Sequence, residues 1–116
     1  MKVVVYGTLK RGYGNNVVLG GSKFIESVVI KGYKLYNSGF PVARPSEGDS
    51  ISGELWEVDS EHTLRNLDRL EGEGRMYIRT TVAEDTQMYV GPENYWTFDR
   101  MTECPKNADG HYEWSR

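Results

Sequence analysis

Residues 60–72 read SEHTLRNLDRLEG and carry the one convincing helical pattern of the chain. Asp59 or Ser60 can cap the first turn by accepting a hydrogen bond from an early backbone N–H. Gly72 can end the helix, because glycine readily adopts the left-handed conformation that closes a helix. We therefore predict a helix over residues 60–71. Three leucines of this segment share an apolar stripe at helical spacing, namely Leu64, Leu67 and Leu70.

On both sides of this helix the chain shows short runs of β-branched, aromatic or alternating apolar residues. Gly32 lies inside one of them and indicates a bulge or bend. The strands do not alternate regularly with helices, which disfavours a doubly wound parallel sheet. We expect an α+β fold, a small mixed β-barrel with one main flanking helix. The predicted strands are residues 3–6, 24–36, 40–43, 51–58, 76–82, 88–90 and 95–98, with a short helix at 17–19 and turns at 37–39 and 45–49.

The size of the chain indicates one domain over residues 1–116. Its 116 residues are 38% hydrophobic and 27% charged, which is ordinary for a globular protein with a modest core. The segment from about residue 105 is polar, but Tyr112 and Trp114 give it apolar surface that can pack against the rest.

Charge and cysteine content narrow the function classes. The net charge is −3, and the basic residues Lys10 and Arg11 form a pair rather than a patch, so we expect no nucleic-acid partner. The single cysteine, Cys104, can form no internal disulfide and favours a reducing, cytoplasmic location. The apolar run at 3–6 is too short for a signal peptide, and no segment is long enough to span a membrane.

Several common site motifs are incomplete in this sequence. Gly7 and Gly12 are spaced like the glycines of a phosphate loop, but the lysine and hydroxyl residue that should follow are absent. The third glycine of a dinucleotide fingerprint and the Gly-x-Ser-x-Gly elbow are also missing. Two histidines far apart and one cysteine disfavour a metal site. Cys104 has no activating base near it in sequence, so we interpret it as a half-buried thiol.

Two segments remain as candidates for chemistry, and the first is residues 6–12, YGTLKRG. A strand that stops at glycine and turns sharply can point successive backbone N–H groups into one concavity. Such a concavity binds a carboxylate or stabilises an oxyanion. An ordinary glycine turn after an edge strand would produce the same sequence.

The second candidate is Glu71, at the predicted C-terminus of the helix. The helix dipole disfavours a negative charge at that end, and burial would disfavour it further. Both effects raise the pKa of a carboxylate toward the range that suits a general acid/base near neutral pH. The alternative is a solvated acidic helix end, shared with Asp68 and Glu73.

Together these segments resemble the γ-glutamyl cyclotransferase-like family, specifically its γ-glutamylamine cyclotransferase and AIG2-like branch. YGTLKRG at 6–12 matches the opening signature of the branch, and LDRLEG at 67–72 followed by MYIR at 76–79 matches its second signature. Between them, Phe40-Pro41 and GELWEV at 53–58 are similar to further family elements, and Asn15 stands where the branch commonly carries asparagine. The match runs in order from residue 3 to about residue 98.

The resemblance implies a small β-barrel enzyme that needs no metal or cofactor. Its substrate would be a small γ-glutamyl compound, whose α-amine attacks the side-chain amide to give 5-oxoproline and a free amine. The family's acid/base glutamate maps onto Glu71. The substrate loop maps onto Tyr6, Gly7, Thr8 and Leu9.

Two further residues are candidates because they alternate on one face of a predicted strand. Tyr77 can line the pocket, and Arg79 can pair with a carboxylate, either that of the substrate or that of Asp68. A packed ring and a surface ion pair would explain the same two residues.

Three readings of the function remain open. The first is the cyclotransferase, with the leaving amine undetermined between γ-glutamylamines, a lysine isopeptide and a peptide such as glutathione. The second is a non-catalytic protein that binds an anionic metabolite or nucleotide on the same fold. The third is an interaction domain that uses the aromatic residues of the tail, Tyr112 and Trp114.

Overall fold

The computed structural model describes residues 1–115, in which six strands form one curled, half-barrel sheet with one main helix. The expected α+β architecture is therefore confirmed. The order across the sheet is β4-β5-β1-β3-β2-β6. The elements are β1 (Lys2–Val5), β2 (Lys23–Asn37), β3 (Pro41–Glu57), α1 (Glu61–Glu71), β4 (Ile78–Ala83), β5 (Thr86–Val90) and β6 (Thr102–Glu103), with 3-10 helices at Gly14–Leu19 and Phe98–Arg100.

Strand β1 lies in the middle of the sheet and is covered on both faces. It pairs antiparallel with β3 and parallel with β5, which makes the sheet mixed. Val3 and Val5 pack in the layer that contains Leu67 of the helix, and Val4 packs in the opposite layer with Ile51. An uninterrupted valine run suits this position, because successive side chains of a strand point to opposite faces and both faces are buried here.

Strands β2 and β3 form one long antiparallel hairpin with a bulge in its middle. The pairing passes from Lys31–Ser50 to Tyr33–Pro45, so residues 46–49 loop out opposite Gly32. Gly32 has a φ of 89°, a conformation that favours glycine, and the predicted bend there is confirmed. The turn predicted at 45–49 is wrong: the chain does not reverse, because strand pairing resumes in the same direction on both sides of the bulge.

The helix agrees with its prediction at both ends. The Ser60 hydroxyl accepts a 3.2 Å hydrogen bond from the Thr63 N–H, which caps the first turn. Gly72 has a φ of 61° and closes the last turn. Leu67 is fully buried, whereas Leu70 leaves 41% of its surface exposed. No helix within residues 1–115 has the length and apolar character that crossing a membrane would require.

The strand predicted at 95–98 is wrong. Pro92 ends the extended chain, since proline has no N–H to give to a strand neighbour, and its carbonyl accepts from the N–H groups of Tyr95 and Trp96 in a turn. The Trp96 indole donates a 2.7 Å hydrogen bond to the Met76 carbonyl. Trp96 therefore packs against Phe40 and Tyr77, and Phe98 packs against Tyr36, instead of extending the sheet.

The tail after β6 packs, as its aromatic residues suggested. Tyr112 and Trp114 are buried, and Tyr112 exchanges backbone hydrogen bonds with Ser50 and Ser52 of β3 at 2.9 and 2.8 Å. The Trp114 carbonyl accepts a 2.7 Å hydrogen bond from the Lys10 ammonium. The tail thus closes one side of the half-barrel and reaches the loop that follows β1.

Candidate functional site

A cavity of about 450 Å³ opens where the loop after β1, the β2–β3 turn and the end of α1 meet. It combines most of the residues singled out from the sequence, including Glu71, Tyr77 and the whole Tyr6–Leu9 segment. The lining residues are Val4, Val5, Tyr6, Gly7, Thr8, Leu9, Asn15, Gly39, Phe40, Pro41, Leu70, Glu71, Met76, Tyr77 and Tyr89.

The loop after β1 lines this cavity and contains backbone donors that have no partner among residues 1–115. The Lys10 N–H bonds to the Gly7 carbonyl at 3.0 Å and closes a tight turn. None of the hydrogen bonds within residues 1–115 uses the N–H groups of Gly7, Thr8 or Leu9. Gly7 is also sterically required, because a Cβ at this position would overlap the Pro41 ring. Three consecutive N–H groups are therefore available to an anionic or carbonyl oxygen.

The same loop is held from two sides. The Asn15 amide donates a 2.8 Å hydrogen bond to the Thr8 hydroxyl, and its N–H bonds to the Thr8 carbonyl at 3.1 Å. The Glu54 carboxylate accepts from the backbone N–H of Arg11 at 3.0 Å and from its guanidinium at 3.2 Å. These bonds fix the direction of the loop before any ligand binds.

Glu71 is the last residue of α1 and lines the cavity. Burial raises its pKa to about 7, because removal from water disfavours the ionised carboxylate. Within residues 1–115 no hydrogen bond or ion pair engages this carboxylate. Glu71 is thus a free carboxyl group that changes protonation state near neutral pH.

Three tyrosines, Tyr6, Tyr77 and Tyr89, form a rigid wall around Glu71. The Tyr6 hydroxyl donates to the Tyr89 carbonyl at 2.6 Å and accepts from the Ala43 N–H at 3.2 Å, and the Tyr77 hydroxyl donates to the Pro41 carbonyl at 2.8 Å. Burial raises the pKa of all three phenols, and the Glu71 charge raises it further. They therefore stay neutral and shape the cavity rather than carry charge.

Arg79 lies outside the cavity lining and pairs with Asp68. Its guanidinium nitrogen stands 3.4 Å from the Asp68 carboxylate, which also accepts a 2.6 Å hydrogen bond from the Tyr89 hydroxyl. Two carboxylate partners were expected for Arg79, that of the substrate or that of Asp68, and the structure contains the ion pair with Asp68. Through Asp68, Arg79 is connected to Tyr89, which lines the cavity.

Six lining residues were not singled out from the sequence as site residues: Val4, Val5, Gly39, Leu70, Met76 and Tyr89. Leu70 was assigned to the apolar stripe of the helix, but unlike Leu67 of the same stripe it is partly exposed to solvent. For Tyr89 no local signal existed, because its role depends on a contact with a distant helix. Asn15, Phe40 and Pro41 entered only through the family resemblance, and all three line the cavity.

The remaining candidate groups are not among the residues that line the cavity. Cys104 is buried, and burial raises the pKa of its thiol to about 11, which makes it a poor nucleophile. The His111 ring pairs with the Ser50 hydroxyl at 2.6 Å on the β3 side of the tail. Among residues 1–115 no three histidine, cysteine or acidic side chains converge in a way that could hold a metal ion.

Comparison with known proteins identifies relatives over most of the chain. The family model "Gamma-glutamyl cyclotransferase, AIG2-like" matches residues 3–115. The chain is 32% identical over 83 residues to the γ-glutamylcyclotransferase family protein YtfP of Escherichia coli K12, covering 71% of this chain and 72% of that protein. It is 38% identical over 93 residues to the γ-glutamylaminecyclotransferase of Rattus norvegicus, covering 69% and 60%. The crystal structure of an AIG2-like protein from Mus musculus superposes with a TM-score of 0.76 at 25% identity, covering 99% and 95%.

Proposed function

Because the chain belongs to the γ-glutamyl cyclotransferase, AIG2-like family, a family of cyclotransferase enzymes, we propose that it converts γ-glutamylamines to 5-oxoproline and a free amine. Glu71 is the general acid/base in this proposal. One observation supports this role: the unpaired Glu71 carboxyl, with a pKa of about 7, lines the same cavity as the segment that contains three unused backbone N–H groups.

The charges of the cavity support binding of a γ-glutamyl head group. Among its described lining residues there is one ionisable carboxylate, Glu71, and no lysine, arginine or histidine. The substrate's α-ammonium would therefore bind at Glu71. Its α-carboxylate would accept hydrogen bonds from the N–H groups of Gly7, Thr8 and Leu9, since backbone donors can bind an anion where no cationic side chain is present.

The chemistry then needs only proton movement at one carboxyl group. Glu71 takes a proton from the α-ammonium, and the free amine attacks the γ-carbonyl carbon to close a five-membered ring. The bond from that carbon to the leaving nitrogen breaks as Glu71 returns the proton to it. As the α-ammonium of the substrate becomes the lactam nitrogen of the product, it loses two protons. The leaving nitrogen gains two protons and departs as an ammonium ion. The Glu71 carboxylate ends as it began.

Few residues are required because nucleophile and electrophile belong to one molecule. Effective molarities for well-oriented ring closures can reach about 10⁵ M or more. A pocket that folds the γ-glutamyl chain back on itself would therefore supply much of the acceleration. The rigid wall of Tyr6, Tyr77 and Tyr89 supports such a role, since the hydroxyl of each is already held by a hydrogen bond.

We also propose that the enzyme works in the cytoplasm. The one cysteine is buried and can form no internal disulfide, which fits a reducing compartment. Detection of the enzyme in a cytosolic fraction of its source cells would test this assignment.

The experiment is a product assay with matched variants. The purified protein is incubated with γ-glutamylalkylamines, γ-glutamyl-lysine and glutathione, and 5-oxoproline is measured by mass spectrometry. Glu71→Gln keeps the shape of the side chain but cannot cycle a proton. Glu61→Gln makes the same change on the same helix at a side chain that is 91% exposed and outside the cavity.

We expect product from the wild type and from Glu61→Gln, and loss of turnover by at least about a hundredfold in Glu71→Gln. No product from any substrate, with an intact fold by circular dichroism, would overturn the proposal. Stoichiometric binding without turnover would instead support the binding protein for an anionic metabolite or nucleotide.

A further inference from the structure

The tail after β6 folds back on itself. The Asn107 N–H bonds to the His111 carbonyl at 2.8 Å, and the Glu113 N–H bonds to the Pro105 carbonyl at 3.0 Å. The Asn107 side chain accepts hydrogen bonds from the N–H groups of Asp109 and His111, and it donates one to the Glu113 carboxylate at 3.2 Å. These bonds determine the shape of the tail without any contribution from the loop after β1.

The folded tail is fixed to the sheet just before Trp114. Tyr112 pairs with Ile51 as an isolated parallel bridge, through its two backbone bonds to β3. The side chains of Tyr112 and Trp114 are buried in the same core layer as Ile51, and Trp114 leaves only 6% of its surface exposed. The Trp114 carbonyl is therefore a hydrogen-bond acceptor held in a defined position.

Lys10 connects this acceptor to the loop after β1. Its ammonium donates the 2.7 Å hydrogen bond to the Trp114 carbonyl and lies 5.5 Å from the centroid of the Tyr13 ring. The Tyr13 ring in turn contacts the Trp114 ring, with centroids 5.2 Å apart. The loop is thus tied to the tail by a charge-assisted hydrogen bond, which is one of the stronger kinds, and by a ring contact.

Lys10 is also the residue at which the turn with the three unused N–H groups closes. Its own N–H bonds to the Gly7 carbonyl, so the segment from Gly7 to Leu9 is held between the Pro41 ring at its start and Lys10 at its end. Neither Lys10 nor Trp114 lines the cavity. A shift of Lys10 would nevertheless move the three N–H groups, because it is covalently joined to them.

From these contacts we propose that Lys10 and Trp114 are positioning residues, through which the tail holds the N–H groups of residues 7–9 in place for the substrate's α-carboxylate. The inference rests on the proposed function. Several backbone donors bind one anion well only when they converge on it. A loop that is already ordered loses little conformational entropy when the anion binds.

The first test is Lys10→Met, which removes the ammonium and keeps a long side chain. With γ-glutamyl methylamide we expect KM to rise about tenfold, the effect typical of losing a hydrogen bond to a charged group. The kcat should change less than about twofold, because the loop would bind the carboxylate equally in the ground and transition states. Lys10→Arg should restore most of the loss, since a guanidinium can donate to the same carbonyl.

Lys106→Met is the matched control. Lys106 belongs to the same tail, and its ammonium lies 5.2 Å from the centroid of the Tyr112 ring. No hydrogen bond or ion pair within residues 1–115 connects it to the loop after β1, so its KM should equal that of the wild type.

Trp114→Leu separates the position of the tail from the charge of Lys10. This variant keeps the ammonium and the main-chain carbonyl but removes the ring contact with Tyr13. We expect KM to rise again, by at least about threefold, because the carbonyl is less firmly held. Thermal unfolding measures the folded fraction of each variant. Partial unfolding alone would lower kcat at unchanged KM, because unfolded molecules bind no substrate.

A change in the substrate tests whether the effect acts through the α-carboxylate. In the α-carboxamide of the same methylamide this group is neutral, and the expected product is 5-oxoprolinamide. The KM ratio of Lys10→Met to the wild type should fall from about tenfold to less than about threefold, because hydrogen bonds to a neutral acceptor are weaker.

Three results would refute the positioning role while 5-oxoproline from the methylamide keeps the proposed function. They are a KM of Lys10→Met within twofold of the wild type, an equal penalty on both substrates, and a Trp114→Leu variant with unchanged KM. Absence of product from the wild type with either substrate would overturn both proposals.

Discussion

The Tyr89 phenol donates a 2.6 Å hydrogen bond to the Asp68 carboxylate, one helical turn before Glu71. Charge-assisted bonds of this kind are among the stronger ones in proteins. Arg79 contacts the same carboxylate at 3.4 Å and offsets its negative charge. The Tyr89–Asp68 hydrogen bond therefore anchors one wall of the cavity to the helix. The Arg79–Asp68 contact limits the negative potential around the proposed acid/base, Glu71.

Replacement of Arg79 by methionine should raise the pKa of Glu71. Without the guanidinium, the Asp68 charge is opposed only by a phenol, and a like charge nearby disfavours ionisation of Glu71. The acid limb of the kcat/KM profile should move to higher pH, and added salt should reduce the difference. Arg65→Met is the control, since Arg65 is 64% exposed and pairs with Glu61 at 3.9 Å. A midpoint that stays at the wild-type pH would show that Arg79 does not act through Asp68.

The wild-type enzyme should gain kcat/KM as the pH rises through about 7. Glu71 must be ionised in the free enzyme to take the proton of the α-ammonium, and burial places its pKa there. Initial rates between pH 5 and 9, at substrate concentrations well below KM, measure this limb. A midpoint near 4.5, the ordinary value for this side chain, would mean that the carboxyl is more solvated than the cavity indicates.

Glu71→Gln should stabilise the protein at pH 8 and have little effect at pH 4.5. The folded pKa of about 7 exceeds the ordinary 4.5, so the native state binds the proton more tightly than the unfolded chain. This group therefore lowers the stability progressively as the pH rises from about 4.5 to 7. Above that range the penalty is about 3 kcal/mol at most, and the glutamine removes it.

Urea unfolding of the wild type and of Glu71→Gln at pH 4.5 and pH 8 measures this difference in the free energy of unfolding. The contributions of the other titrating groups are the same in both proteins and cancel in the comparison. A variant less stable than the wild type at pH 8 would contradict the expected sign. The combined outcome, greater stability with lost turnover, is typical of a residue kept for chemistry rather than for folding.

Gly7→Ala should disable the site through the loop after β1. The added methyl group overlaps the Pro41 ring, so the loop has to move away from the β2–β3 turn. Displacement of the N–H donors by about 1 Å can reduce the rate about a hundredfold. Gly14→Ala is the matched control, because nothing lies within 4 Å of an added Cβ there. Steady-state kinetics measures the activity of both variants, and thermal unfolding shows whether each is still folded. Equal activity of Gly7→Ala and Gly14→Ala would contradict the prediction.

Local signals account for what the sequence predicted well. The helix carries its own cap in Ser60 and its own stop in Gly72, so its bounds needed no tertiary information. Glu71 was a candidate because of its place at that helix end, and the unfavourable dipole there is a local property. The loop after β1 was a candidate for the same reason, since strand, glycine and turn are adjacent in sequence.

Distant contacts account for what was missed. The segment 95–98 has the aromatic composition of a strand, but the partner of Trp96 is the Met76 carbonyl, twenty residues earlier. Tyr89 is ordinary within its strand, and its bonds to Asp68 on the helix and to the Tyr6 hydroxyl place it in the site. Phe40 and Leu70 both line the cavity, although they lie in separate elements and have no sequence relationship to each other.

The position of β1 in the middle of the sheet has a consequence for synthesis of the chain. Strand β1 pairs with β3 and with β5, whose last residue is Val90, so its second neighbour is synthesised long after it. The bond from Lys10 to the Trp114 carbonyl joins the candidate loop to a segment that lies 104 residues further along the chain. During translation the nascent enzyme is therefore expected to remain inactive, with an exposed valine strand that depends on rapid completion or on a chaperone.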